Sequence, residues 1–215
     1  MKHLLLIVIA MYLASSSLYS QISEGYIQFH IDVKAVDTST EARQSAAMLR
    51  NSKMEIYFAK DLSRVDFTLG EISNTSVRIN KKTDRGISIS ESVMGKFANV
   101  GTSESLAGES VSLDDGSVSI TPFNEFKTIL GFKCQKYVMD RNGSRTTYWC
   151  TDEISLEGLG DVVVNSNLPS FPLSFTSIEN GLRMHFEASN FKEEVGDKEI
   201  VFSTEPPKGY QLMQR

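Results

Sequence analysis

At 215 residues, 40% of them hydrophobic, the chain is long enough to bury one sizeable core. Its net charge of −5, from 22 basic and 27 acidic residues, excludes the electrostatic footprint of a nucleic-acid binder and the polybasic patch of a binder of anionic lipid heads. No repeat of fixed period runs through it.

The first twenty residues have the three parts of a secretory signal. Met1-Lys2-His3 is a short positive start, residues 4–14 are an apolar run, and Ser15-Ser16-Ser17-Leu18-Tyr19-Ser20 is a small-residue exit. The run is too short for a membrane span, which needs about 20 residues as helix. Cleavage after Ser20 or Ser17 is expected, and no cysteine near the exit points to a lipid anchor. Residues 21–215 are then expected to form one exported domain, periplasmic or secreted, with no transmembrane segment.

Apolar and polar residues alternate over 25–36 (GYIQFHIDVKAV), the signature of a half-buried strand. Thr38 with Glu41 fits a capping box, and Ala42, Ala46 and Leu49 recur at helical spacing, so a helix is expected up to about Arg50. Strands follow at 54–60, 64–72, 76–80 and 86–90, joined by short polar turns as in an antiparallel meander. Residues 101–116 are rich in Gly and Ser without an apolar period and read as a flexible loop. Further strands are expected at 117–122, 132–140, 144–151, 161–164, 173–178, 182–189 and 199–203, with a turn at Glu179-Asn180-Gly181. So many short strands with one clear helix predict a mainly β fold, a single sheet that must curl or close to protect its edges.

Cys134 and Cys150 are the two cysteines. Asp140-Arg141-Asn142-Gly143 has type I turn preferences, and a three-residue bulged loop closing Asp140 on Ser144 sets Cys134 opposite Cys150, within reach of a disulfide. A two-residue turn at Asn142-Gly143 slips the register by one and turns the cysteines to opposite faces.

The segment Thr128-Ile129-Leu130-Gly131-Phe132-Lys133-Cys134-Gln135-Lys136-Tyr137, followed by Trp149-Cys150-Thr151-Asp152-Glu153-Ile154, resembles a group of exported bacterial proteins. That group includes the GLPGLI family and a related domain of unknown function. Leu168-Pro169-Ser170-Phe171-Pro172-Leu173 and Pro207-Lys208-Gly209-Tyr210 are similar to later parts of the pattern. Phe132 stands where Tyr is usual, and Asn167 and Ser170 where glycines are expected. The resemblance implies a LolA-like half-barrel, a curved antiparallel sheet with one or two helices against its concave side. Proteins of that shape include carriers of acyl chains.

Catalytic patterns are sparse. His30 and His185 lie far apart, and no zinc spacing, Cys-x-x-Cys, Gly-x-Ser-x-Gly elbow, phosphate loop or dinucleotide fingerprint occurs. No enzyme activity and no cofactor are expected. Aromatic residues recur on the expected strands: Phe58, Phe67, Phe132, Tyr137, Tyr148, Trp149, Phe171, Phe175 and Phe186. Phe132, Tyr137, Tyr148, Trp149, Phe171 and Phe175 are the candidates for lining an apolar cavity. Two functions compete: binding of a hydrophobic ligand, such as a lipid or lipoprotein acyl chain, in the concave face, and a non-catalytic module with a filled core that recognises an envelope protein through a sheet edge or loop.

Overall fold

The computed structural model describes residues 21–107, 118–141, 144–157, 167–179 and 181–213. The expected signal (1–20), the strand expected at 161–164, the hairpin tip at 142–143 and residues 108–116 of the expected loop lie outside the described residues.

Two antiparallel runs of strands make one sheet. The first is β1 (Gly25–Ala35), β2 (Lys53–Ala59), β3 (Leu62–Leu69), β4 (Ser73–Asn80), β5 (Arg85–Ser92) and β6 (Gly95–Gly101). The second is β7 (Val118–Ile129), β8 (Phe132–Arg141), β9 (Ser144–Thr151), β10 (Phe171–Glu179) and β11 (Leu182–Lys192). β1 joins the halves by pairing with β2 on one side and β11 on the other. β12 (Gln211–Leu212) adds in parallel to β6. The 12-stranded order is β12-β6-β5-β4-β3-β2-β1-β11-β10-β9-β8-β7, unclosed, with β12 and β7 at its edges. Among the described residues three short helices accompany it: α1 (Thr40–Met48), α2 (Ser103–Ala107) and α3 (Lys198–Val201). This is the mainly β half-barrel with few helices expected from the sequence.

The curvature can be read from ring distances. Phe67 of β3 and Phe186 of β11 have β2 and β1 between them, yet their ring centroids are 6.2 Å apart. Three strand spacings in a flat sheet would separate them by about 14 Å. Phe58 of β2 and Phe171 of β10 likewise meet at 6.4 Å across β1 and β11. The face carrying these rings is therefore concave. Alternation along β1 puts Ile27, Phe29 and Ile31 there, each no more than 3% exposed. Fully burying one such side chain contributes roughly 1.5–3 kcal/mol.

Gly25 leaves room for the Phe58 and Phe191 rings. A Cβ there would sit 3.0 Å from both the Phe58 and Phe191 rings and 2.9 Å from the Lys192 carbonyl oxygen.

Four local expectations are corrected. The N-cap of α1 is Ser39, not Thr38, its hydroxyl accepting from the Ala42 amide at 3.1 Å. Residues 103–107 of the expected loop form α2. The strand expected at 199–203 is largely α3, because the Asp197 carboxylate caps the amides of Glu199 and Ile200 and opens a helix there. The 140–144 hairpin pairs Arg141 with Ser144, leaving the two-residue connection that Asn-Gly favours. That register sets Cys150 opposite Gln135 rather than Cys134, and the two cysteines are buried free thiols in one core cluster, not a disulfide. Glu179 pairs with Leu182 on either side of the turn expected at 179–181, whose Asn180 lies outside the described residues.

Candidate functional site

The concave face has two parts of different chemistry. Over β1–β3 and β8–β11 it is filled by side chains packed on one another. Phe175 stacks on Phe186 at 4.4 Å with the rings 9° from parallel, and on Tyr148 at 5.6 Å. Phe29 and Phe67 extend this row. A second set joins Phe171 to Phe58 and Phe132 to Phe191, the latter edge-on at 5.0 Å.

Over β4–β6 the face is open. The row begun by Phe67 continues through Thr75, Ser90 and Phe97, and the next row runs Val65, Val77, Ser88, Asn99. The apolar residues of β5, Ile87 and Ile89, point the other way and are buried with Ala98 against Tyr210 from the C-terminal segment. Alternation in β5 thus delivers serines to the concave side.

Gly86 and Gly101 face each other across β5 and β6. Their bare backbone is the seat of α2: a Cβ on Gly86 would come within 2.7 Å of Leu106 Cδ1, and one on Gly101 would collide with the Ser105 hydroxyl. Between α2 and the sheet lies a groove of about 360 Å³, lined by Val77, Phe97, Leu106 and Met213 with Ser88, Ser90 and Asn99. Small-molecule sites run from about 300 to 1,000 Å³ and combine apolar walls with a few polar groups. Among the described residues no carboxylate or basic group lines this one.

The aromatic candidates separate. Tyr137 and Tyr148 are direct cross-strand partners, and Tyr148 is also paired with Phe175, so these three share the concave side. Trp149 follows Tyr148 on the strand, pairs with Lys136 and Ser174, and projects to the opposite side, where the Lys127 ammonium lies 5.0 Å from its ring centre. Phe171 is fully buried and Phe132 is 7% exposed. None of the six lines the open groove. Burial pushes the Cys134 thiol up to about 11 and raises the Cys150 thiol further. Among the described residues no three or more of His, Cys, Asp and Glu converge as metal ligands.

Ser88, Ser90, Phe97, Asn99 and Leu106 were not singled out in the sequence. The available signal was the alternation of Phe97 and Asn99 between Gly95 and Gly101, which marks β6.

No family model and no curated protein matches the chain. Among solved structures it is similar to PNGF-II, at 14% identity and a TM-score of 0.48, covering 90% of this chain and 32% of that one. The chain thus spans about a third of that protein's length. A LolA superfamily protein, NE2245 from Nitrosomonas europaea, is similar at 8% identity and a TM-score of 0.22, over 83% of this chain and 90% of that one. Likenesses of this depth assign neither a family nor an activity.

Proposed function

We propose that this protein is an exported, non-catalytic binding module that holds an apolar or amphipathic small molecule, of the lipid or acyl-chain class, in the concave groove between α2 and β4–β6. The observation that supports this is the groove itself: a hollow of about 360 Å³ with Val77, Phe97 and Leu106 as apolar walls and Ser88, Ser90 and Asn99 as polar contacts. The rest of the concave face is already occupied by its own rings, so a ligand there would have to displace ring-ring contacts worth about 0.5–1.5 kcal/mol each. In the groove, an apolar chain gains about 25 cal/mol for each Å² of surface it buries, and the serine hydroxyls and Asn99 amide can hold a polar head.

The test is titration with a fluorescent fatty acid. Phe97→Asp and Leu106→Asp place a charge in the apolar wall and are expected to weaken binding at least about tenfold, the effect of about 1.4 kcal/mol. Wild-type affinity in both variants places the ligand elsewhere.

A second function has its own observation. β7 is an edge strand, and Phe123 and Phe126 on it are 39% and 48% exposed. An envelope protein can add an extended strand to such an edge. Pro122 and the register break between Pro122 and Phe126 restrict that edge against indiscriminate pairing. A partner that binds through β7 is lost on Phe126→Lys while fatty-acid binding is retained.

A further inference from the structure

The convex side of β2–β5 carries another pocket, of about 290 Å³, which the concave groove does not touch. Its floor is a cross-strand array of charged and polar residues. Glu55 of β2 lies opposite Asp66 of β3, and Asp66 opposite Ser76 of β4. Arg64 lies opposite Arg78, with Tyr57, outside the pocket, on the other side of Arg64. Its rim is the C-terminal segment. Arg64 Nη1 donates to the Val201 carbonyl and Arg78 Nη1 to the Ser203 carbonyl, both at 3.2 Å, and the Tyr210 hydroxyl bonds Glu91.

Each carboxylate of this pocket already has a cation. Asp66 receives three hydrogen bonds from Arg64, at 2.6 to 3.0 Å. Glu55 is held by Lys53 at 2.7 Å and by the Tyr26 hydroxyl at 2.8 Å. Glu91 is met by Lys96 at 3.2 Å.

Arg78 is the exception. Its Nε reaches the Ser76 hydroxyl at 3.3 Å and its Nη1 the Ser203 carbonyl, and among the described residues it forms no ion pair. It is a half-buried guanidinium set directly opposite a second guanidinium. Burial, and then the Arg64 charge, press its pKa below the usual value. Like charges facing each other across a strand pair are destabilising unless something offsets them. Arg64 has its offset in direct contact with Asp66; Arg78 feels the Asp66 charge without an ion pair to it among the described residues and has only neutral acceptors, the Ser76 hydroxyl and the Ser203 carbonyl.

We propose that this pocket is a binding site for a small oxyanion, a carboxylate or phosphate group, held by the Arg78 guanidinium. The planar fork of an arginine matches two oxygens of either group. Asn74, Ser76 and Tyr210, which also line the pocket, supply neighbouring polar contacts. The C-terminal segment anchors Arg78 through Ser203, so the fork is held in place before the anion arrives.

The experiment titrates the full chain with inorganic phosphate and, separately, with acetate, at constant ionic strength. Arginine Nε–H resonances and the thermal midpoint are followed together. A saturable shift of the Arg78 resonance, with a midpoint that rises in wild type and in Arg85→Gln but not in Arg78→Gln, is expected. Arg85 is an exposed guanidinium paired with Glu205 and reports non-specific screening. Arg78→Lys keeps the charge and loses the fork, and is expected to weaken binding about tenfold. Tighter phosphate binding assigns a phosphoryl ligand, and tighter acetate binding a carboxylate. No saturable shift of the Arg78 resonance with either anion overturns the proposal, as does an equal midpoint rise in Arg78→Gln. Because Phe97→Asp leaves Arg78 untouched, failure of the concave groove and failure of this site are separately visible.

Discussion

The Cys134 thiol is fully buried, and burial pushes its pKa up to about 11 from 9.0, against the nearby Lys127 charge that pulls it down. The folded chain keeps a proton that the unfolded chain loses near pH 9.0, so stability is unaffected below that pH and falls as pH rises from 9.0 to about 11. Cys134→Ala is expected to flatten that fall; urea midpoints across the range measure it, and equal slopes in both proteins contradict it. The Ser174 hydroxyl is fully buried with no hydrogen-bond partner among the described residues. Ser174→Ala is expected to be neutral or to stabilise by up to about 1 kcal/mol, because it removes a desolvated polar group and leaves nothing unpaired. A loss of stability on denaturant unfolding would show that the hydroxyl has a partner. At this scale the sequence was informative about what is large and misleading about where the opening lies. Tyr148, Phe171 and Phe175 were legible as important because aromatic rings dominate a core. Tyr148 packs on Phe175 and Phe171 on Phe58, whereas the groove is walled partly by Ser88 and Ser90, residues with no compositional signal.

Strand existence was legible from alternation, but alternation states which residues share a face, not which face is concave. In β5 the run GISIS reads as an ordinary half-buried strand, and its isoleucines are indeed buried, on the convex side under Tyr210. Only the C-terminal segment folding over that side frees the serines to line the groove, a long-range fact no local window contains. The slip at 140–144 has a similar origin: one residue of loop length decided whether Cys134 faced Cys150. α2 depends on the glycine seat, so Gly86→Val is expected to drive Leu106 off the sheet. Fatty-acid affinity should then fall at least about tenfold with the β-sheet circular dichroism intact. Unchanged affinity would separate α2 from the binding site.

Across the whole molecule the β1–β11 pairing is the seam between two runs of strands that each fold locally. The rings bridge that seam: Phe58 from one half contacts Phe171 from the other, and Phe67 contacts Phe186. The two halves should therefore unfold in one transition, and Phe171→Ala should lower its stability by about 3–5 kcal/mol without splitting it. Two calorimetric transitions would contradict this. The strand order was not legible in the sequence, since pairing the first strand with the eleventh leaves no local pattern. The most direct test of the binding role is mass spectrometry of an organic-solvent extract from the full chain, produced in bacteria and purified without detergent. The binding role predicts a stoichiometric apolar or amphipathic molecule from the wild type that is depleted from Phe97→Asp. A clean wild-type extract, together with no saturable uptake of a fluorescent fatty acid by that empty protein, would contradict it.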